Sequence, residues 1–161
     1  MKRIILIIAI IIATTALAIG CVWLVQANVP VPAEKLIAGA AQLREQPCEK
    51  IVIRYADMTH GKAAAKVLAD PAKAQQFAGR MLQAEYKRIR TPESRTGGSS
   101  YEVLFFPQGG GEPVTVNSSR PQTLWVNGTF GDRYYRCDSS WTEDLVNEAS
   151  EVPERDVASY Y

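Results

Sequence analysis

From Ile4 to Val25 the chain runs without a single charge, directly after Lys2 and Arg3. A helix of about 22 residues rises about 33 Å, enough to cross a hydrocarbon core of about 30 Å. A buried core helix fits poorly, because no charged residue interrupts the run to give it a solvent face. A pilin-like start fails too, since no acidic residue follows a cleavage glycine within the run.

Three readings of residues 1–27 follow. A cleaved secretory signal has an apolar stretch of about 7–15 residues before a small-x-small site. Val25-Gln26-Ala27 supplies such a site, but the run before it is too long. A lipoprotein signal ends in small residues before a lipidated cysteine, and Ala18-Ile19-Gly20-Cys21 fits that box. Against it, Leu17 sits one place early, and Val22 to Val25 stay apolar where a polar tether belongs. The third reading is an uncleaved anchor, with Trp23 at the outer interface and Gln26-Ala27-Asn28 leaving the hydrocarbon. Residues 1–27 are thus a transmembrane anchor or a lipoprotein signal with Cys21 as its lipidation site. Each reading keeps Lys2 and Arg3 cytoplasmic under the positive-inside rule and sends the rest outside a cell membrane.

About 134 residues remain, a natural size for one domain. A formal charge of +1, from 18 basic and 17 acidic side chains, gives no global field that selects nucleic acid. Cys48 and Cys137 are the cysteines outside the membrane segment. One precedes the first expected strand and the other ends the last, so a disulfide between them is one expectation. Closing a loop of about 90 residues would add about 4–5 kcal/mol on chain-entropy grounds. Two separate buried thiols are the other expectation. Neither spacing nor a nearby histidine marks a metal site.

Residues 28–47 read as a stalk. Asn28-Val-Pro-Val-Pro32 is stiff and extended, and Leu36, Ala40 and Leu43 space a short helix ended by Pro47. The domain expected over 48–150 opens with Ile51, Ile53 and Tyr55 alternating on one strand face. After a turn at Thr59-His60-Gly61-Lys62, Lys66 to Leu68 returns as a short strand, with Ala63–Ala65 arguing for helix instead. Asp70-Pro71 is a strong helix start: the carboxylate caps, and proline gives up an N–H that would have no partner. Ala74, Phe77, Ala78, Met81, Leu82, Tyr86 and Ile89 continue one apolar stripe, so the spacing predicts a five-turn amphipathic helix.

Tyr101 to Phe106 is apolar on both sides and reads as a central strand. A glycine-rich loop, 107–112, leads into Val114-Thr-Val116, and Thr123 to Val126 meets Asn127-Gly128, which suits a type I′ hairpin. Thr129 to Cys137 returns, with a bulge expected at Gly131-Asp132. Ser140-Trp-Thr-Glu143 reads as a capping box opening a last helix, with Trp141, Leu145 and Ala149 on one side. Residues 151–161 read as a flexible tail. The order ββαββββα predicts an α+β, two-layer domain: an antiparallel sheet with one long amphipathic helix packed on it.

Gly61-Lys62, the Asp70-initiated helix, Ser100-Tyr101 with Phe105-Phe106, and Trp125-Val-Asn-Gly128 occur in this order between Ile51 and Val146. In this order of features the chain resembles a family of small domains from Gram-positive bacteria, carried behind a lipoprotein signal or membrane anchor. The resemblance implies the fold and the location. It transfers no activity, cofactor or site residue, and Gly131-Asp132 departs from its pattern.

Candidate chemistry is sparse. His60 is the only histidine, and a nucleophilic arrangement would have to join it to Asp57 and Cys48. Glu102, Glu112, Asp132 and Asp138 are the carboxylates from which a hydrolytic pair would be drawn. Gln108-Gly109-Gly110-Gly111 precedes no helix and no Lys-Ser/Thr, so it fails as a phosphate loop. Lys87, Arg88, Arg90 and Arg95 form a basic cluster suited to anionic headgroups or wall polymer. Trp125, Phe130, Tyr134 and Tyr135 form an aromatic-rich hairpin that serves either the core or a binding face. The expectation is a membrane-tethered binding or accessory domain without a cofactor. Its partners are the membrane and an envelope protein or anionic surface polymer, with no nucleic acid. A carboxylate hydrolase of the cell envelope and a secreted inhibitor-like module are the alternatives.

Overall fold

The structure is a computed structural model that describes residues 2–57, 61–89, 100–120, 122–126 and 133–160. Helix α1 (Lys2–Asn28) contains the apolar run, and Ile4–Val25 is 22 residues with none of its window buried. Two single turns follow, α2 (Ala33–Leu36) and α3 (Gln42–Glu45). The α+β domain then runs β1 (Cys48–Asp57), β2 (Lys62–Leu68), α4 (Pro71–Gln83), β3 (Tyr86–Ile89), β4 (Tyr101–Pro107), β5 (Val114–Arg120), β6 (Thr123–Val126), β7 (Arg133–Cys137), α5 (Trp141–Glu148) and β8 (Ser150–Glu151). A 3-10 helix, Glu154–Tyr160, closes the described chain. The strands form one eight-stranded sheet in the order β3-β7-β6-β5-β4-β1-β2-β8, and every pair in it is antiparallel.

Local chemistry explains α4 well. The Asp70 carboxylate accepts the backbone N–H groups of Ala72 (2.9 Å) and Lys73 (3.3 Å), with Pro71 at the first helical position. Ala74, Phe77, Ala78, Met81 and Leu82 are its buried stripe. The helix stops at Gln83, however, instead of running to Ile89. Tyr86 to Ile89 becomes a strand because β7 offers it a ladder, with Tyr86 opposite Cys137 and Ile89 opposite Tyr134. Tertiary pairing overrides a helical spacing that the stripe had carried past the turn.

Three other expectations change for similar reasons. Ala63–Ala65 lies inside β2, where pairing with β1 and burial of Ala65 outweigh alanine's helix preference. In 28–47 the continuous helix is replaced by α2 and α3, and Ala33, Ile37, Ala40 and Leu43 are buried in the core. The segment therefore packs on the domain and does not stand off as a stalk. After Glu151 the chain is also built in: the Val152 N–H donates to the Ala65 carbonyl at 2.9 Å, and Val157 is buried. The ββαββββα order thus gains β3 and β8. Asn127-Gly128 and Gly131-Asp132 lie outside the described residues; the strands they join are paired, Val126 opposite Arg133.

Candidate functional site

Residues directly opposite across strands share a face, so the register sorts the sheet into two surfaces. One row crosses it as Arg88, Tyr135, Leu124, Ser118, Tyr101, Tyr55 and Ala64. This face, with Ile51, Ile53, Val103, Phe105, Val114 and Val116, joins the buried residues of α4 and α5 in one core cluster. Trp141 of α5 packs its ring 6.0 Å from that of Phe105. The adjacent row reads Ile89, Tyr134, Trp125, Asn117, Glu102, Arg54 and Ala65. It belongs to the opposite face. The buried apolar residues there, Val52, Leu104 and Ala65, fall outside the core cluster that α4 and α5 complete.

The residues singled out in the sequence are divided by this geometry. Trp125 and Tyr134 stand opposite each other on the open face, both half-buried, and Lys87 is exposed on the same face opposite Arg136. Tyr135 points the other way and is 6% exposed, so it is a core residue. Arg88 shares Tyr135's face by register but sits exposed at its rim on edge strand β3. Phe130, Arg90, Arg95, His60 and Asp132 lie outside the described residues.

The open face also gathers residues that the sequence reading passed over. Lys50 lies 4.9 Å over the Phe106 ring, and Arg54 pairs with Glu102 at 3.1 Å across β1 and β4. The signal for them was the alternation already read in β1 and β4: if Ile51, Ile53 and Tyr55 face the core, Lys50 and Arg54 must face away. A shallow hollow of about 350 Å³ opens there, lined by Arg54, Lys62, Glu102, Asn117 and Trp125 among others. The Trp125 indole N–H is buried with no hydrogen-bond partner among the described residues.

The nucleophile arrangement does not assemble. Cys48 and Asp57 are the two ends of the 10-residue β1, and a rise of about 3.3 Å per step holds them about 30 Å apart. The carboxylates are likewise dispersed. Glu102 is committed to Arg54, Glu112 lies exposed beyond β4, and Asp138 accepts the Glu85 N–H at 3.1 Å. No group of three His, Cys, Asp or Glu side chains suited to a metal occurs among the described residues.

Cys48 and Cys137 are both buried and unpaired, which corrects the disulfide expectation. β4, β5 and β6 stand between β1 and β7. At about 4.8 Å per strand that is about 19 Å across the sheet, far beyond the roughly 7 Å between Cα atoms that a bridge tolerates. Burial pushes the Cys48 thiol up to about 11, so it is a poor nucleophile at neutral pH. Its N–H donates to Gln75 Oε1 at 2.7 Å, tying β1 to α4. Cys137 instead lines a buried polar knot. The Tyr86 hydroxyl donates to the Met81 carbonyl at 2.9 Å, and desolvation pushes its pKa far up. The Trp141 N–H faces the same hydroxyl without a hydrogen bond of ordinary geometry.

The capping box is also modified. Ser140 precedes α5, yet its hydroxyl makes no backbone cap and donates to Asp144 Oδ2 at 3.2 Å. Asp144 in turn pairs with Arg80, and Glu148 with Lys73, so two ion pairs join α5 to α4. The Arg80 guanidinium holds the Asp144 carboxyl below its ordinary value. Cys21 is exposed on α1, and the helix continues past it to Asn28. No protein-family model matches the chain, and neither a curated protein nor a solved structure matches it.

Proposed function

We propose that this is a single-pass cell-membrane protein, with a cytoplasmic N-terminus and an α+β domain outside that binds or assists an envelope partner. The observation that carries the reading is the pairing of α1 with an open sheet face. α1 offers 22 residues without a charge, of high mean hydropathy and with no burial of their own. The sheet face opposite α4 and α5 carries Trp125, Tyr134 and Phe106 beside Lys50, Lys87 and Arg136. Amphipathic aromatics next to cations favour a partner that is partly apolar and partly anionic, such as an envelope protein or an acidic surface polymer.

Crosslinking on intact cells tests this. A specific neighbour is expected, with its yield lowered by Tyr134→Ala and Lys87→Glu while the melting temperature changes little. Recovery of no specific neighbour would count against the reading. Intact-mass analysis of the membrane-bound protein separates the anchor from lipidation at Cys21: the anchor predicts the full polypeptide mass with three unmodified thiols.

A further inference from the structure

We infer that the β3–β7 edge of the domain lies on the anionic headgroups of the same membrane that α1 enters. The inference rests on the membrane reading of α1 and adds an orientation and a lipid contact to it.

The link between helix and sheet is short and fixed. Only Val29 and Pro30 separate Asn28, the end of α1, from Val31, whose N–H donates to the Tyr86 carbonyl at 2.8 Å. Val31 and Tyr86 form an antiparallel bridge. Continuing that direction sets Pro30 alongside Lys87 and Val29 alongside Arg88, and α1 contacts β3 accordingly. From Val25, the last residue of the apolar span, to Asn28 the helix rises only about 4.5 Å. A headgroup layer is about 5–8 Å deep on each side of the bilayer. The Arg88–Ile89 end of β3 therefore stands at headgroup depth.

Among the described residues of the two strands, the charge is one-signed. β3 reads Tyr-Lys-Arg-Ile and β7 reads Arg-Tyr-Tyr-Arg-Cys, with no acidic residue in either. Lys87, Arg88, Arg133 and Arg136 are all exposed. Lys87 stands directly opposite Arg136. By register, Lys87 and Arg136 lie on one face of the two-stranded ribbon and Arg88 and Arg133 on the other. Cations on both sides of a ribbon suit an approach of its Arg88–Arg133 end to a planar anionic surface. Among the described residues, Glu85 and Asp138 flank the ribbon at its other end, beyond Tyr86 and Cys137, and are bonded to each other's segment.

The test is hydrogen exchange of the full chain in nanodiscs of phosphatidylcholine alone or with about one-third phosphatidylglycerol. Peptides covering 86–89 and 133–137 should exchange at least about fivefold more slowly in the anionic discs, as expected for several basic residues at a charged surface. High salt should remove the difference, because screening shortens the reach of such contacts to a few ångströms. The Lys87→Glu/Arg88→Glu variant should lose it too, and Arg133→Gln/Arg136→Gln should lose much of it. Unchanged exchange of Ile51–Ile53 in each variant reports an intact fold. Equal exchange in both disc types overturns the inference, as does a lipid-dependent difference that survives both variants. If the protein enters discs but shows no lipid dependence, this contact fails and the membrane reading stands. If it does not enter discs, both fall.

Discussion

Phe105 and Phe106 are neighbours on β4, yet they belong to different environments. Phe105 is fully buried against Trp141, whereas Phe106 is half-buried on the open face beneath Lys50. Tyr135 and Tyr134 repeat the division on β7. A run of apolar residues with no alternation reads as a strand buried on both sides, but here only one side is closed by helices. Continuous hydrophobicity in a central strand thus reports demand for cover on both faces, not that both faces receive it. What is left over on the open face is the best candidate for contact with something else.

Substitutions separate the covered face from the open one. Phe105→Ala should destabilise the domain by about 3–5 kcal/mol in denaturant unfolding, while Phe106→Ala should cost about 1 kcal/mol. Equal losses would mean that the open face is covered after all. Tyr86→Phe removes the one hydroxyl that satisfies the buried Met81 carbonyl. It should cost about 1–3 kcal/mol, most of it from stranding that carbonyl, as read from the shift of the urea midpoint. Asp70→Ala should cost about 1 kcal/mol by removing the cap that starts α4 over the covered face.

The smallest effect concerns pH. Asp144 has its folded pKa lowered by Arg80, so its contribution is present above the unfolded value and is lost as pH falls through the folded one. The wild-type melting temperature should therefore drop more steeply than that of Asp144→Asn on acidification through the carboxylate range. Parallel pH profiles would show that the α4–α5 ion pair contributes nothing to holding the cover in place.

Much of this was legible where short-range chemistry decides. Asp70-Pro71 announced α4, alternation announced β1 and β4, and the glycine-rich loop joins β4 to β5 with Gly109 and Gly110 both at φ +87, a conformation few other residues accept. What stayed hidden depends on partners distant in sequence. Tyr86 and Ile89 continued a helical spacing, and only the presence of β7, about 50 residues later, converts them to strand. Ala33 to Leu43 carried the right apolar residues for burial, but its two turns fold onto the core through contacts that no local pattern encodes. The disulfide was suggested by two strand ends, and the strand order separated them. Of the candidate site residues, Trp125, Tyr134 and Lys87 lie on the open face, while Tyr135 faces the core because one register step reverses a side chain.

The account turns on where the domain sits, and protease digestion of right-side-out membrane vesicles measures that directly. Added protease should remove the sheet domain from sealed vesicles and leave a membrane-held fragment containing Ile4–Val25 with its original N-terminus. A domain that stays intact until the vesicles are opened, or a mature protein that begins after Ala27, would contradict the account.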